Sequence, residues 1–119
     1  MHPIDRFESG PRLSRAVVYN GTVYLAGATA DDRTLDLKGQ TRQVLEKIDR
    51  MLGLAGSDKS RILFAQIWLK DIEAGFSEMN AVWDEWVAPG CAPARATVEA
   101  RLASDDLLLE IAITAAAGA

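Results

Sequence analysis

Residues 14–27 read Ser-Arg-Ala-Val-Val-Tyr-Asn-Gly-Thr-Val-Tyr-Leu-Ala-Gly. Asn20-Gly21 lies at the centre, and a two-residue hairpin turn needs a left-handed backbone that Asn and Gly tolerate better than other residues. β-Branched and aromatic residues flank the pair, so the stretch predicts two antiparallel strands, 14–19 and 22–27. The turn length also sets the register. Tyr19 then faces Thr22, Val17 faces Tyr24, Arg15 faces Ala26 and Leu13 faces Ala28. One face of the hairpin carries Leu13, Arg15, Val17, Tyr24 and Ala26 together.

Working outward, Leu37, Thr41, Val44, Leu45, Ile48, Met51 and Leu52 recur at helical spacing and predict a helix over 37–54. The stretch 61–69 is apolar on both faces apart from Gln66, and predicts a strand covered on both sides. A second helix, 74–86, carries the stripe Phe76, Met79, Val82, Trp83 and Trp86 and is closed by Pro89-Gly90. Residues 94–102 alternate, with Arg95, Thr97, Glu99 and Arg101 on one side, and 107–115 is apolar but for Glu110 and Thr114. These last two segments are expected to form a hairpin. The ends, 1–8 and 115–119, are expected to fray. The order is β-β-α-β-α-β-β: an α+β domain over 1–119, one mixed sheet with two helices on one face. That leaves the second face of two apolar strands to be covered, either by a strongly curled sheet that covers itself or by a homo-oligomer burying sheet faces against its copies; the oligomer is the reading taken.

The chain has 119 residues, 13 Lys and Arg against 17 Asp and Glu, and a net charge of −4. Nucleic-acid binders carry a basic stripe that displaces counterions from phosphate; none is present, so nucleic acid is not expected as a partner. No apolar run approaches the ~20 residues of a membrane span. The single cysteine, Cys91, has no internal partner, and the first residues lack a charged-then-apolar signal pattern, so a cytoplasmic setting is expected. The single histidine, His2, leaves no Ser-His-Asp or Cys-His machinery and no histidine metal site. No phosphate-cradling glycine motif is present. Neither a cofactor nor a metal is expected. Trp68, Trp83 and Trp86 read as core or interface aromatics, and Asp31-Asp32 and Asp105-Asp106 as turn acids.

The stretch Ala92-Pro93-Ala94-Arg95-Ala96-Thr97-Val98-Glu99-Ala100-Arg101-Leu102, followed by Leu108-Leu109-Glu110-Ile111, resembles the signature of the reactive-intermediate deaminase (Rid, YjgF-like, endoribonuclease L-PSP-like) family. The Asn20-Gly21 turn running into Tyr24-Leu25-Ala26-Gly27 is similar to that family's first hairpin. Gln40-Thr41-Arg42-Gln43-Val44-Leu45 is similar to its first helix, and Lys70-Asp71 with Phe76, Met79 and Asn80 to its passage into the second. The resemblance implies a chorismate-mutase-like fold and a homotrimer with clefts between subunits. It implies a cofactor-free reaction, the hydrolysis of 2-imino or enamino acids to 2-oxo acids and ammonia, like a 2-iminobutanoate/2-iminopropanoate deaminase, which protects metabolism from reactive imines. The partners would be small 2-imino or 2-oxo carboxylic acids.

On this resemblance the family's substrate-binding arginine falls on Arg95 and its water-orienting glutamate on Glu110. Guanidinium offers a planar two-donor fork that suits a carboxylate. The alternatives are a surface ion pair for Arg95 and a pairing with Arg101 for Glu110. If residues 103–106 make the last turn, Glu110 lies opposite Glu99, ~13 Å along the strand from Arg95 at ~3.3 Å per residue. Either a bulge shifts the register or two chains share the site; the shared cleft is the reading taken. Departures from the family pattern bear on the pocket. Leu13 stands in place of a tyrosine, Ala26 of a serine and Thr97 of a common cysteine. Arg15 shares a face with Leu13 and Ala26. It is either a second cation for the cleft, suiting an imine with a distal carboxylate, or an exposed arginine at a sheet edge. The alternative to an enzyme is a non-catalytic trimeric module that binds small carboxylates in the same cleft.

Overall fold

The computed structural model describes residues 2–118. Strands β1 (Ile4–Ser9), β2 (Ser14–Tyr19) and β3 (Thr22–Leu25) lead into helix α1 (Leu37–Leu54). A short 3-10 turn, Lys59–Arg61, enters β4 (Ile62–Leu69). Helix α2 (Ile72–Trp86), β5 (Ala94–Glu99) and β6 (Leu109–Ala116) complete the chain. One six-stranded sheet runs β1-β2-β3-β6-β4-β5. The β4–β5 pair is parallel and the other pairs are antiparallel, so the sheet is mixed, with both helices against one face.

The central turn forms as its residues dictate. Asn20 (φ 50°) and Gly21 (φ 80°) both adopt the left-handed conformation, and Tyr19 faces Thr22 and Val17 faces Tyr24. The Ala26 amide donates to the Arg15 carbonyl at 3.0 Å. The register does not extend to Leu13 and Ala28, because β3 ends at Leu25 and the chain swings across to β6, where Ala28 bridges Ile111.

Each helix begins on an aspartate. Asp36 accepts from the Gly39 amide and Asp71 from the Ala74 amide, and these caps satisfy donors that the first helical turn leaves open. Of the α1 stripe read from the sequence, Thr41, Val44, Leu45, Ile48, Met51 and Leu52 are buried and Leu37 is half-buried, and Gln40 is buried with them. The stripe packs on Val23, Ala65, Ile67, Leu69, Ile111 and Ile113, and α2 adds Met79, Val82 and Trp83. Burial of this apolar surface is the main stabilising term. Gln40 is fully buried yet satisfied: its Nε2 donates to the Leu35 and Asp106 carbonyls, and its Oε1 accepts from the Leu108 amide at 3.0 Å. It thereby ties α1 to the loop that delivers β6.

Two expectations are corrected. Residues 1–8 do not simply fray: β1 pairs with β2 from Ile4↔Tyr19 to Ser9↔Ser14. At the other end Ala115 is buried in β6 and the Gly118 amide donates to the Gly56 carbonyl at 2.7 Å; Met1 and Ala119 lie outside the described residues. The last two strands do not form a hairpin. β6 inserts between β3 and β4, and β5 runs parallel to β4 at the sheet edge. A parallel neighbour requires a crossover, and α2 supplies it. Sequence alternation carries no information on which strand is the neighbour.

The second face of the sheet carries no helix. Alternation along β4 puts Ala65, Ile67 and Leu69 under the helices and Phe64, Gln66 and Trp68 on this open face. Tyr24 is 48% exposed and Val98 44%, beside the exposed Phe64. No described helix is long and apolar enough to cross a membrane.

Candidate functional site

Glu110 stands on β6 beside Trp68 of β4, on the open face, one residue from the buried Leu109 and Ile111. Its position depends on Gly27. A Cβ built on Gly27 would lie 2.1 Å from Glu110 Oε2 and 2.9 Å from Cδ, so any side chain there displaces the carboxylate. The glycine is held in place from both sides. The Ala26 amide bonds back to Arg15, while Ala28 and Ile111 exchange hydrogen bonds of 2.8 and 3.1 Å. Among the described residues Glu110 has no hydrogen-bond or ion-pair partner, and no link to Arg101. The half-buried carboxylate is thus left with its acceptor positions open, which is costly for a purely structural group.

Arg95 stands on β5, in register with Ala65 of β4. Since Ala65 is buried beneath the helices, Arg95 faces the helix side. There its Cζ lies 5.2 Å from the centre of the Trp83 ring, a cation–π arrangement that fixes the guanidinium without using its hydrogen-bond donors. No described carboxylate pairs with it. Thr97, two residues on, has a buried Oγ1 with no partner. Glu99 follows on the same side, and its Oε1 accepts from the Ile72 amide at the start of α2.

The strand register separates the two groups. Ala65 is in register with both Arg95 and Ile113, whereas Trp68 is in register with Glu110. Three residues along and two strands across put the two Cα atoms roughly 14 Å apart. The side chains also leave opposite faces. Within one chain Arg95 and Glu110 do not meet around a small molecule, as the sequence reading held, although its supposed Glu99–Glu110 pairing is wrong.

A cavity of about 170 Å³ opens at the rim where β2 begins and β3 ends. Arg15, Ala26 and Gly27 line it from the hairpin, and Lys47, Ile48, Arg50 and Met51 from α1. Glu8 and Asp31 complete the charged wall. The structure therefore brings Arg15 and Ala26 together, next to the glycine on which Glu110 packs. It keeps Arg95 and Thr97 at the far edge. Leu13 lies in an exposed turn, where its carbonyl accepts from the Gly10 amide at 2.8 Å, and it does not line the cavity. Glu8 has a left-handed backbone, φ 48°, and forms a two-pronged ion pair with Arg50, with distances of 2.8 and 3.3 Å. The hydrogen bond from Arg50 holds the Glu8 carboxyl below its usual value. Lys47 donates to Asp31 at 3.0 Å and to the Thr29 carbonyl at 2.7 Å.

Sequence reasoning missed Gly27, Trp83 as the seat of Arg95, and the Glu8–Arg50 pair. The last was hidden because β1 was read as a loose end. Gly27 follows the end of β3 at a point where no turn type demands a glycine, and that is the signal of a close approach. No described group of His, Cys, Asp or Glu side chains is arranged to hold a metal ion.

The chain is thus a one-sheet α+β domain with an open apolar face, and among the described residues an unpartnered carboxylate stands on that face and an unpartnered guanidinium at its edge. Residues 4–117 match the model of the family described as Endoribonuclease L-PSP, and the chain belongs to that family. It is 48% identical over 113 residues to a RutC family protein of Haemophilus ducreyi, covering 95% of this chain and 96% of that one. It is 41% identical to the RutC family protein YoaB of Escherichia coli, covering 95% and 97%. Among solved structures, a YjgF family member from Neisseria meningitidis superposes with a TM-score of 0.95 at 45% identity, covering 98% of this chain and 97% of that one. A member of the same family from Mycobacterium tuberculosis gives 0.85 at 29%, covering 96% and 99%.

Proposed function

We propose that this protein hydrolyses small 2-imino or enamino acids to 2-oxo acids and ammonia, in clefts between the protomers of a homotrimer. The observation that carries the reading is the pair of unpartnered groups, a carboxylate seated on Gly27 and a guanidinium seated on Trp83, on opposite faces of one chain. Packing of the open sheet face against a second copy is the arrangement that would bring Arg95 of one protomer to Glu110 of the next. Membership of the family supports a role of this general kind. The single cysteine supports a reducing, cytoplasmic setting.

The chemistry needs no more than these groups. Arg95 holds the substrate carboxylate with two parallel N–H donors. Glu110 accepts a hydrogen bond from water and aims its oxygen at C2. The new C–O bond forms as the C=N electrons move to nitrogen, which takes up the water proton. The carbinolamine then loses its C–N bond: ammonia leaves with a further proton and the hydroxyl becomes the 2-oxo group. The unpartnered Oγ1 of Thr97, two residues along β5 from Arg95, supports a part for this hydroxyl in donating to a substrate held on Arg95.

The test generates imines in situ with an amino-acid oxidase and traps the survivors with semicarbazide. The expected outcome is faster loss of imine in the presence of the protein, abolished by Arg95→Ala. Binding of 2-oxo acids without any acceleration would replace this reading with that of a carboxylate-binding module.

A further inference from the structure

The rim cavity contains three cationic side chains, Arg15, Lys47 and Arg50, and two acidic ones, Glu8 and Asp31. Both acids are taken. Glu8 is engaged by both prongs of Arg50, and Asp31 by Lys47, whose ammonium also donates to the Thr29 carbonyl. Arg15 is left with no ion pair among the described residues. Its cross-strand neighbour Glu8 still feels the Arg15 charge but makes its hydrogen bonds to Arg50. The pairs Phe7↔Ala16 and Ser9↔Ser14 bracket Glu8 and Arg15, which puts these two directly across from each other on β1 and β2. Opposite charges facing across an antiparallel pair ordinarily engage. Here the left-handed backbone of Glu8 carries its carboxylate to Arg50 instead. A non-glycine residue in that conformation persists only where its surroundings enforce it.

We infer that this cavity is an anion subsite, with Arg15 as its binding residue, and that it selects substrates bearing a second carboxylate away from the reacting carbon: 2-imino dicarboxylic acids and their 2-oxo products. The substrate part of this inference rests on the function proposed above. Gly27 links the two sites. One side of this residue lines the cavity, and its missing side chain is the space in which Glu110 sits. Gly27 is shared by the cavity wall and the seat of Glu110, so a substrate with C2 at Glu110 would extend its distal end past this residue toward Arg15. Ala26, which lines the cavity beside Arg15, offers no polar side chain of its own.

Two measurements test this. By titration calorimetry on the assembled protein, wild type should bind glutarate more tightly than butyrate, and Arg15→Gln should reduce that preference about tenfold, as expected for one charge-assisted contact, with Arg15→Lys restoring part of it. An unchanged preference in Arg15→Gln, or none in wild type, overturns the subsite. With imines generated from glutamate and from 2-aminobutanoate, the ratio of kcat/KM values for dicarboxylic over monocarboxylic imine should fall by the same factor in Arg15→Gln. Equal effects on both substrates overturn the selectivity. Should wild type hydrolyse no imine, the proposed function falls, while the glutarate titration still decides the subsite.

Discussion

Glu110 stands on β6, which has neighbours on both sides, whereas Arg95 stands on β5, which has a neighbour on one side only. The carboxylate is located by the fold itself. Main-chain hydrogen bonds from Ala28 to Ile111 lock the strand that carries it to the segment that makes room for it. The guanidinium is located by one aromatic ring, with its outer side open to whatever approaches the sheet edge. A group fixed by a ladder on each side cannot move to meet a partner, and a group on an edge strand needs no movement for another molecule to reach it. The contrast is what the proposed shared cleft requires: each chain would contribute two halves of different sites, not one site of its own.

The sharpest way to break this comparison is to mix inactive partners. Arg95→Ala and Glu110→Ala should each abolish imine hydrolysis. If the halves meet between protomers, dissociating the two variants and reassembling them one to one should restore about a quarter of wild-type activity, since random assortment in a closed ring makes that fraction of seams intact. No restoration in assemblies shown by native mass spectrometry to be mixed would place both groups in one chain's site and refute the argument.

Gly27→Ala separates position from presence. The added Cβ meets the far end of a flexible side chain, so the fold should survive with a small change in Tm while the carboxylate is forced aside. A displacement of this order costs about 100-fold in rate when the displaced group orients a reactant. The check is kcat with KM: kcat should fall and KM should stay within a few fold, because Arg95, the proposed carboxylate anchor, stands on β5 and is left untouched. A large loss of Tm instead would mean that Glu110 holds the sheet together.

The same contrast explains what the sequence could tell. Asn20-Gly21 and the α1 stripe are local signals: the register holds next to the turn, failing only at Leu13 and Ala28, and α1 spans Leu37–Leu54 as its periodicity predicts, though the buried Gln40 is not in the apolar stripe. The neighbours of β5 and β6 are not local. Residues 94–102 and 107–115 look like a hairpin because they are adjacent in the chain and both extended, yet a crossover helix has already placed β4 beside β5. Glu110 was legible because a lone carboxylate in an apolar strand is anomalous wherever the strand goes. The ring beneath Arg95 was not, because Trp83 belongs to the core stripe of α2 and nothing in its spacing shows which sheet residue it will meet. The edge strand β1 was missed because only Ile4 and Phe7 are apolar in its six residues, the composition expected of an exposed edge.

The smallest effect concerns acid. At the sheet edge β1 is tied to α1 by Glu8 and Arg50, and the hydrogen bond from Arg50 lowers the pKa of Glu8. A carboxyl whose pKa is lower folded than unfolded binds fewer protons in the folded state. Its contribution is therefore complete above the unfolded value, ~4.3, and is lost as pH falls through the folded value. The pair is at the surface, so salt screens it and the loss is slight. Below about pH 4 the protection of the β1 amides relative to the intrinsic exchange rate at that pH should fall, while that of β4 and β6, held by the core, should not. Arg50→Gln should show the lowered β1 protection already at pH 7 and remove most of its pH dependence. Protection in β1 that ignores both pH and Arg50 would mean that main-chain pairing with β2 alone holds this edge, and that the turned backbone of Glu8 serves the cavity and not the strand.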